Sequence, residues 1–211
     1  MAVTPNGPML SEVSICNQAL HWLGQNKITS FEDQSTTAEL CRDNYPILRD
    51  TLLESCHWVF ATARDKSETQ NRDEFDVAFS HTMPLGWLAV YQVYDLIRSS
   101  DPASWRPDRS WRREGEFILS NSELVYMRGT VRVTDTGKFT SLFSQALAAR
   151  IALDLCIPIT NNLKLQGSMA ELFAIKLAEA KTGDGVQGRS DVIQSNRYID
   201  ARASGGLFDG V

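Results

Sequence analysis

The chain has 211 residues, 43% hydrophobic and 22% charged, a balance that suits one packed domain with a small insertion and excludes wholesale disorder. Its formal net charge of -5 argues against a free nucleic-acid binder, which is usually basic. No run of about 18 apolar residues marks a membrane span, and the start MAVTPNGPML lacks the basic flank and apolar block of a signal peptide, so the expected compartment is a cytoplasm with no membrane partner.

Residues 1–10, with Pro5, Gly7 and Pro8, are expected to form a loose arm. Ser11 is the expected N-cap of a first helix running to about Leu23. Ile15, Cys16, Ala19, Leu20 and Leu23 make one apolar stripe, and Gly24 supplies a left-handed cap. Ile28 and Phe31 should tuck under the helix pair. A second helix is capped within 35–37 and carries Ala38, Cys41, Tyr45, Leu48, Leu52 and Cys56 at spacings of three and four, with Trp58 and Phe60 closing it. Pro46 lacks a backbone donor, which predicts a kink or a break near Asn44 and Tyr45.

The polar stretch KSETQNRDE at 66–74 reads as a loop. Short segments rich in Val, Ile, Phe, Tyr and Trp follow at 75–81, 86–97, 116–120, 123–127 and 130–134. Pro84, Gly86, Asn121 and Gly129 punctuate them, and a tight hairpin turn is expected at Asn121 and Ser122. These segments predict several antiparallel strands. Helix resumes at Ser141 in SLFSQALAARIALDLCI, which is apolar on nearly every side and therefore reads as a central helix, stopped by Pro158. A last helix is predicted over 162–181. Leu163, Ala170, Phe173, Leu177 and Ala178 would face inward, Lys181 would lie in the last turn, and Gly183 would cap it. Residues 184–211 are glycine-rich without an apolar period, yet carry Ile193, Tyr198, Ile199, Leu207 and Phe208. They read as an extended tail that orders on a partner, against the alternative of a disordered end.

The fold class predicted is α+β: an antiparallel bundle of about four helices (11–65 and 139–183) with a small antiparallel β subdomain inserted at 66–138 and a tail at 184–211. Chemistry-bearing patterns are sparse. Cys16, Cys41, Cys56 and Cys156 form no CxxC pair and read as free thiols in apolar patterns rather than as disulfides or a zinc site. Cys56 and His57 are adjacent, and neighbours on a helix point about 100° apart, which is poor geometry for a nucleophile and its base. No phosphate loop, nucleophile elbow or zinc-protease motif occurs. No catalytic residue, metal or cofactor is therefore expected.

The strongest local feature is SWRPDRSWRREG, in which Trp105 and Trp111 interleave with Arg106, Arg109, Arg112 and Arg113. From 98 to 132 there are seven Arg or Lys and five Asp or Glu, a net of +2, so the rest carries -7. This segment could stack on bases and grip phosphates, as a DNA-contacting module would. It could instead pair with Asp101, Asp108 and Glu114, or with acidic helices of a neighbouring subunit. The subunit contact is the preferred expectation, because Arg and Trp are enriched at interface cores.

Three segments in order resemble one family. NQALHWLGQNKITSFED is similar to its opening helix and connection. TAELCRDNYPILRDTLLESCHWVFATARD is similar to its second helix, with Arg-Asp, Leu-Leu and a Trp-x-Phe-Ala ending. LVYMRGTVRVTDTGKFTSLFSQALAARIALDLCIPIT is similar to its strand, Val-Thr-Asp turn and Ala/Leu-rich helix. The family is the tail tubular protein A type of head-to-tail adaptor from short-tailed bacteriophages. Pro46, and Pro84-Leu85-Gly86 in place of a proline-aspartate turn, depart from its pattern.

The resemblance implies a non-catalytic helical bundle with a β insertion. It implies a virion protein of the head-tail interface, assembled in the bacterial host cytoplasm. The partners implied are a homo-oligomeric ring of about twelve copies, the portal protein, and a tail nozzle protein of the tubular protein B type. Genomic DNA would pass through the channel without sequence-specific binding. Arg197, Tyr198, Ile199, Arg202, Leu207 and Phe208 in the tail are the candidates for reaching the portal.

Overall fold

Ser11 and Ser14 start helix α1 (Glu12–Trp22) with a reciprocal capping box, each side chain accepting the other's backbone N–H. Gly24, at φ +69°, ends it as the sequence predicts. Asn17 then clips the following connection to the helix, donating to the Ile28 carbonyl and accepting its N–H at 2.9 and 2.8 Å. Ile28 is buried and Phe31 packs against the same core. The computed structural model describes residues 11–68, 77–95 and 110–187.

Helix α2 (Thr36–Glu54) is capped by Ser35, whose hydroxyl accepts the Ala38 N–H. It runs unbroken through Pro46. The proline lies on the exposed side of the helix. The carbonyl it leaves without a donor, that of Arg42, is four residues back on the same face, where water can serve it. Tyr45, Leu48, Leu52 and Leu53 hold the opposite face in the core. Cys56 falls beyond the helix and is half-buried.

Trp58 does not close α2 either. It caps a 3-10 turn (Val59–Ala61), fully buried, with its indole N–H donating to the Leu52 carbonyl at 2.8 Å. Its ring meets Phe143 edge-on at 5.0 Å, and Phe60 and Phe139 complete the aromatic cluster around Phe143.

Among the described residues, the insertion forms two three-stranded antiparallel sheets. The first has the order β1 (Thr62–Glu68), β6 (Leu124–Val131), β3 (Trp87–Asp95); the second has β2 (Phe79–Thr82), β5 (Phe117–Ser120), β4 (Arg112–Glu114). Trp87, Val93, Ile118, Val125 and Met127 fill a separate small core between them, with Trp111 packed alongside.

Three expectations are corrected here. Residues 66–68, read as loop, belong to β1, an edge strand whose backbone pairs with β6 while its polar residues 64–66 stay exposed. Asn121 and Ser122 do not make a hairpin. They carry the chain from β5 in one sheet to β6 in the other, and His81 Nε2 lies 2.9 Å from the Ser122 carbonyl oxygen to hold that passage. Gly129 is no turn but the middle of β6. A Cβ there would meet the Ala89 carbonyl and come within 2.6 Å of the Trp87 ring.

Helix α3 (Ser141–Thr160), capped by Thr140, packs against α1, α2 and α4 and buries ten of its residues, including Phe143, Leu147, Ile151 and Leu155. Its length and composition are those of a membrane span. In this fold they serve the centre of the bundle, as the all-round apolar pattern predicts. Pro158 does not stop it: the proline is exposed, and the helix ends two residues later at Thr160, capped by Asn161 in the left-handed region at φ 48°.

Helix α4 (Leu163–Gln187) begins at Asn162, whose side-chain oxygen accepts the N–H groups of Lys164 and Leu165. It is longer than predicted. Gly183 lies inside it, where a Cβ would strike Leu142 of α3, so this glycine permits close packing instead of capping. Met169 and Ala180 are buried, with Leu172, Phe173 and Leu177 packed beside them. Leu163, Ala170 and Ala178, expected inward, are exposed. The predicted tail boundary at 184 therefore moves to the end of α4, and the remainder, 188–211, lies outside the described residues.

Candidate interaction surfaces

Of the Arg/Trp segment, Trp111, Arg112 and Arg113 are described; Trp105, Arg106 and Arg109 lie outside the described residues. So do all six tail candidates, Arg197, Tyr198, Ile199, Arg202, Leu207 and Phe208. The three described residues are all engaged within the chain. Trp111 is half-buried against the small core between the sheets. Arg112 Nε pairs with Glu114 Oε1 at 2.9 Å, one of the pairings the sequence suggests. Arg113 donates to the carbonyls of Leu88 and Gly115, both at 3.1 Å, clipping the β4–β5 turn to β3. Strand β4 is thus held by side chains that the sequence alone offered to a partner.

Cys56 and His57 do not form a catalytic pair. The His57 ring stacks on Tyr91 at 3.9 Å. Burial pushes the Cys56 thiol up, the opposite of what a nucleophilic thiolate needs. All four cysteines are free, and Cys16 on α1 and Cys41 on α2 are buried in the core.

Two polar links bind the bundle to its neighbours. Asp50 on α2 accepts Arg132 Nε at 2.7 Å and Arg49 Nη2 at 2.8 Å, so one carboxylate serves a buried arginine of its own helix and another just past β6. Asp184 on α4, only 5% exposed, accepts the Val59 N–H with both oxygens; burial raises its carboxyl above the ordinary range while that bond draws it back.

The open face of the first sheet carries an arrangement the sequence did not reveal. The register sets Arg64 opposite Arg128 and Gln92 in one row, and Lys66 opposite Tyr126 and Tyr94 in the next. Partners across a ladder share a face, and the two rows line a cleft of about 550 Å³. Gln92 accepts from both the Tyr94 hydroxyl (3.0 Å) and Arg128 Nη1 (3.4 Å), and the Arg128 guanidinium lies 5.6 Å from the centre of the Tyr91 ring. The signal was present as period-two fragments, R-x-K, Q-x-Y and Y-x-R at 64–66, 92–94 and 126–128. Only strand pairing brings them together.

A comparison with protein-family models finds no match to this chain, and a comparison with curated proteins finds none either.

Proposed function

We propose that this protein is a structural head-to-tail adaptor of a bacteriophage particle. It would stand as a ring of about twelve copies between the portal protein and the tail nozzle and continue the DNA channel. What supports the reading most is the agreement between the family resemblance and the fold: three ordered segments imply a helical bundle interrupted by a β insertion, and the described chain has that organisation. Rigid wedges of this kind close a ring through repeated head-to-tail contacts.

A second observation suits neighbouring copies. Ile175 and Val186 are 57% and 83% exposed on α4. Eleven residues, about three helical turns, separate them, so they share one stripe. The reading assigns no catalytic residue and no cofactor.

The experiment is a binding assay with the portal protein. Full-length chain should bind it. A chain lacking 188–211 should keep its helical circular dichroism and lose that binding. Because Asp184 anchors α4, the cut belongs after Gln187 and not at 184. Undiminished portal binding by the shortened chain removes the tail from this role, and failure of the full chain to bind removes the adaptor reading.

A further inference from the structure

We propose that the cleft on the open face of the first sheet binds single-stranded nucleic acid, with phosphates on Arg64, Lys66 and Arg128 and bases on Tyr94 and Tyr126. The inference does not rest on the adaptor reading, and it places nucleic-acid contact apart from the 105–113 segment.

Arginine pairing carries the argument first. Arg42, Arg49, Arg112, Arg132 and Arg150 each hold a carboxylate, and Arg113 holds two carbonyls. Arg64, Arg113 and Arg128 are the described arginines with no ion pair among the described residues, and of these Arg64 and Arg128 are direct cross-strand partners. Two like charges set opposite each other on a sheet repel, so the pairing is costly unless an anion lies between them. Arg128 Nε is moreover buried with no hydrogen-bond partner. A guanidinium with an unused buried donor, beside a second guanidinium, matches the fork geometry that phosphate oxygens satisfy.

The rest of the lining fits the same ligand. Lys66 adds a third cation without an ion pair among the described residues. The single carboxylate among the described lining residues, Asp65, already accepts the Lys66 backbone N–H at 2.8 Å, and the described lining carries a net +2. Arg64 and Lys66 are two residues apart on β1, about 7 Å at the usual rise of a strand, so they can follow successive phosphates along the sheet edge. Tyr126 on β6, next to β1, and Tyr94 on β3, beyond it, stand side by side, where bases splayed from such a backbone would stack. The cleft has room for about one or two nucleotides, not for a wrapped duplex.

The test is fluorescence anisotropy of a labelled oligothymidylate titrated with the full-length protein at several salt concentrations. Two single-strand phosphates, one between Arg64 and Arg128 and one at Lys66, give a log–log salt slope of about -1.4. Arg64→Gln/Arg128→Gln should weaken binding at least about tenfold and flatten the slope to about -0.7, as expected for one remaining contact. Arg64→Lys/Arg128→Lys should retain most of the affinity, Tyr126→Leu should lose about tenfold through stacking, and Arg112→Gln should change nothing. If the double glutamine variant fails to fold, Arg64→Gln alone, at an exposed edge position, carries the test with a loss of several-fold. No binding by the native protein, equal binding by the glutamine variants, preference for duplex or for free nucleotide over the single strand, or a change in self-association without a change in oligonucleotide affinity would each overturn the proposal.

Discussion

The carboxylate of Asp184 grips the backbone N–H of Val59 at 2.9 and 3.2 Å, 125 residues away in sequence, and so seats the last turn of α4 on the buried Trp58–Ala61 corner. That corner is where the chain leaves the bundle for the insertion, so one side chain near the end of α4 fixes the geometry at the start of the β subdomain. Because burial raises the Asp184 carboxyl from its ordinary 3.8, its contribution to stability is fully present below that value and is lost as pH rises through the folded-state pKa.

The pair of substitutions Asp184→Asn and Asp184→Ala separates the bond from the charge. Asparagine still accepts the Val59 N–H and carries no desolvated charge, so its melting temperature at pH 7 should equal or exceed that of the native protein. Alanine leaves the N–H unserved and should cost about 1–3 kcal/mol. Thermal melts from about pH 3 to pH 7 should also show that the asparagine variant loses the native decline with rising pH. Asp33 works with the opposite sign. The Thr29 backbone and hydroxyl hold its carboxyl below the usual range, so that contribution is present above the ordinary value and disappears as pH falls through the folded-state pKa.

Asp50 and Arg132 should prove unequal partners. Arg132 is half-exposed, and Arg132→Gln should cost less than about 1 kcal/mol, as half-exposed ion pairs do. Asp50→Asn also strips the buried Arg49 of its counter-charge and should cost about 3 kcal/mol. Urea denaturation of the two single variants checks this. Equal losses would mean that the Arg49 guanidinium does not depend on Asp50.

Gly129→Ala should destabilise by about 1–3 kcal/mol, because the new methyl collides with the Trp87 ring and the Ala89 carbonyl in the middle of β6. The damage should concentrate in the small core between the sheets. Hydrogen exchange should therefore quicken in β3 and β6 and stay unchanged in α1 and α3. Uniform quickening would mean that the insertion has no core of its own.

The helices were legible because their burial is periodic. The stripe from Ile15 to Leu23, the one from Ala38 to Leu52, and the apolar surround of α3 are what burial at helical spacing must produce, and each is found in the core. The prolines misled because the helix-breaking rule concerns the backbone donor alone. At Pro46 the orphaned carbonyl belongs to the exposed Arg42, and at Pro158 to the half-buried Asp154 near the helix end; each loss is small beside the packing of Tyr45, Leu48 and Leu155. Glycines misled in a similar way. Gly129 and Gly183 looked like turn and cap residues, yet both serve close approach to a side chain far away in sequence. The candidate surfaces were least legible, since local composition made Arg112 and Arg113 look available. Their partners, Glu114 nearby and the Leu88 carbonyl 25 residues away, are assigned by the sheet.

Electron microscopy of assembled particles decides whether the proposed ring-forming adaptor stands. The proposal requires a ring of about twelve copies of this chain, labelled through an epitope at its N-terminus and seated between portal and nozzle. Complete particles that carry no density or label for this chain at the head-tail interface would contradict it.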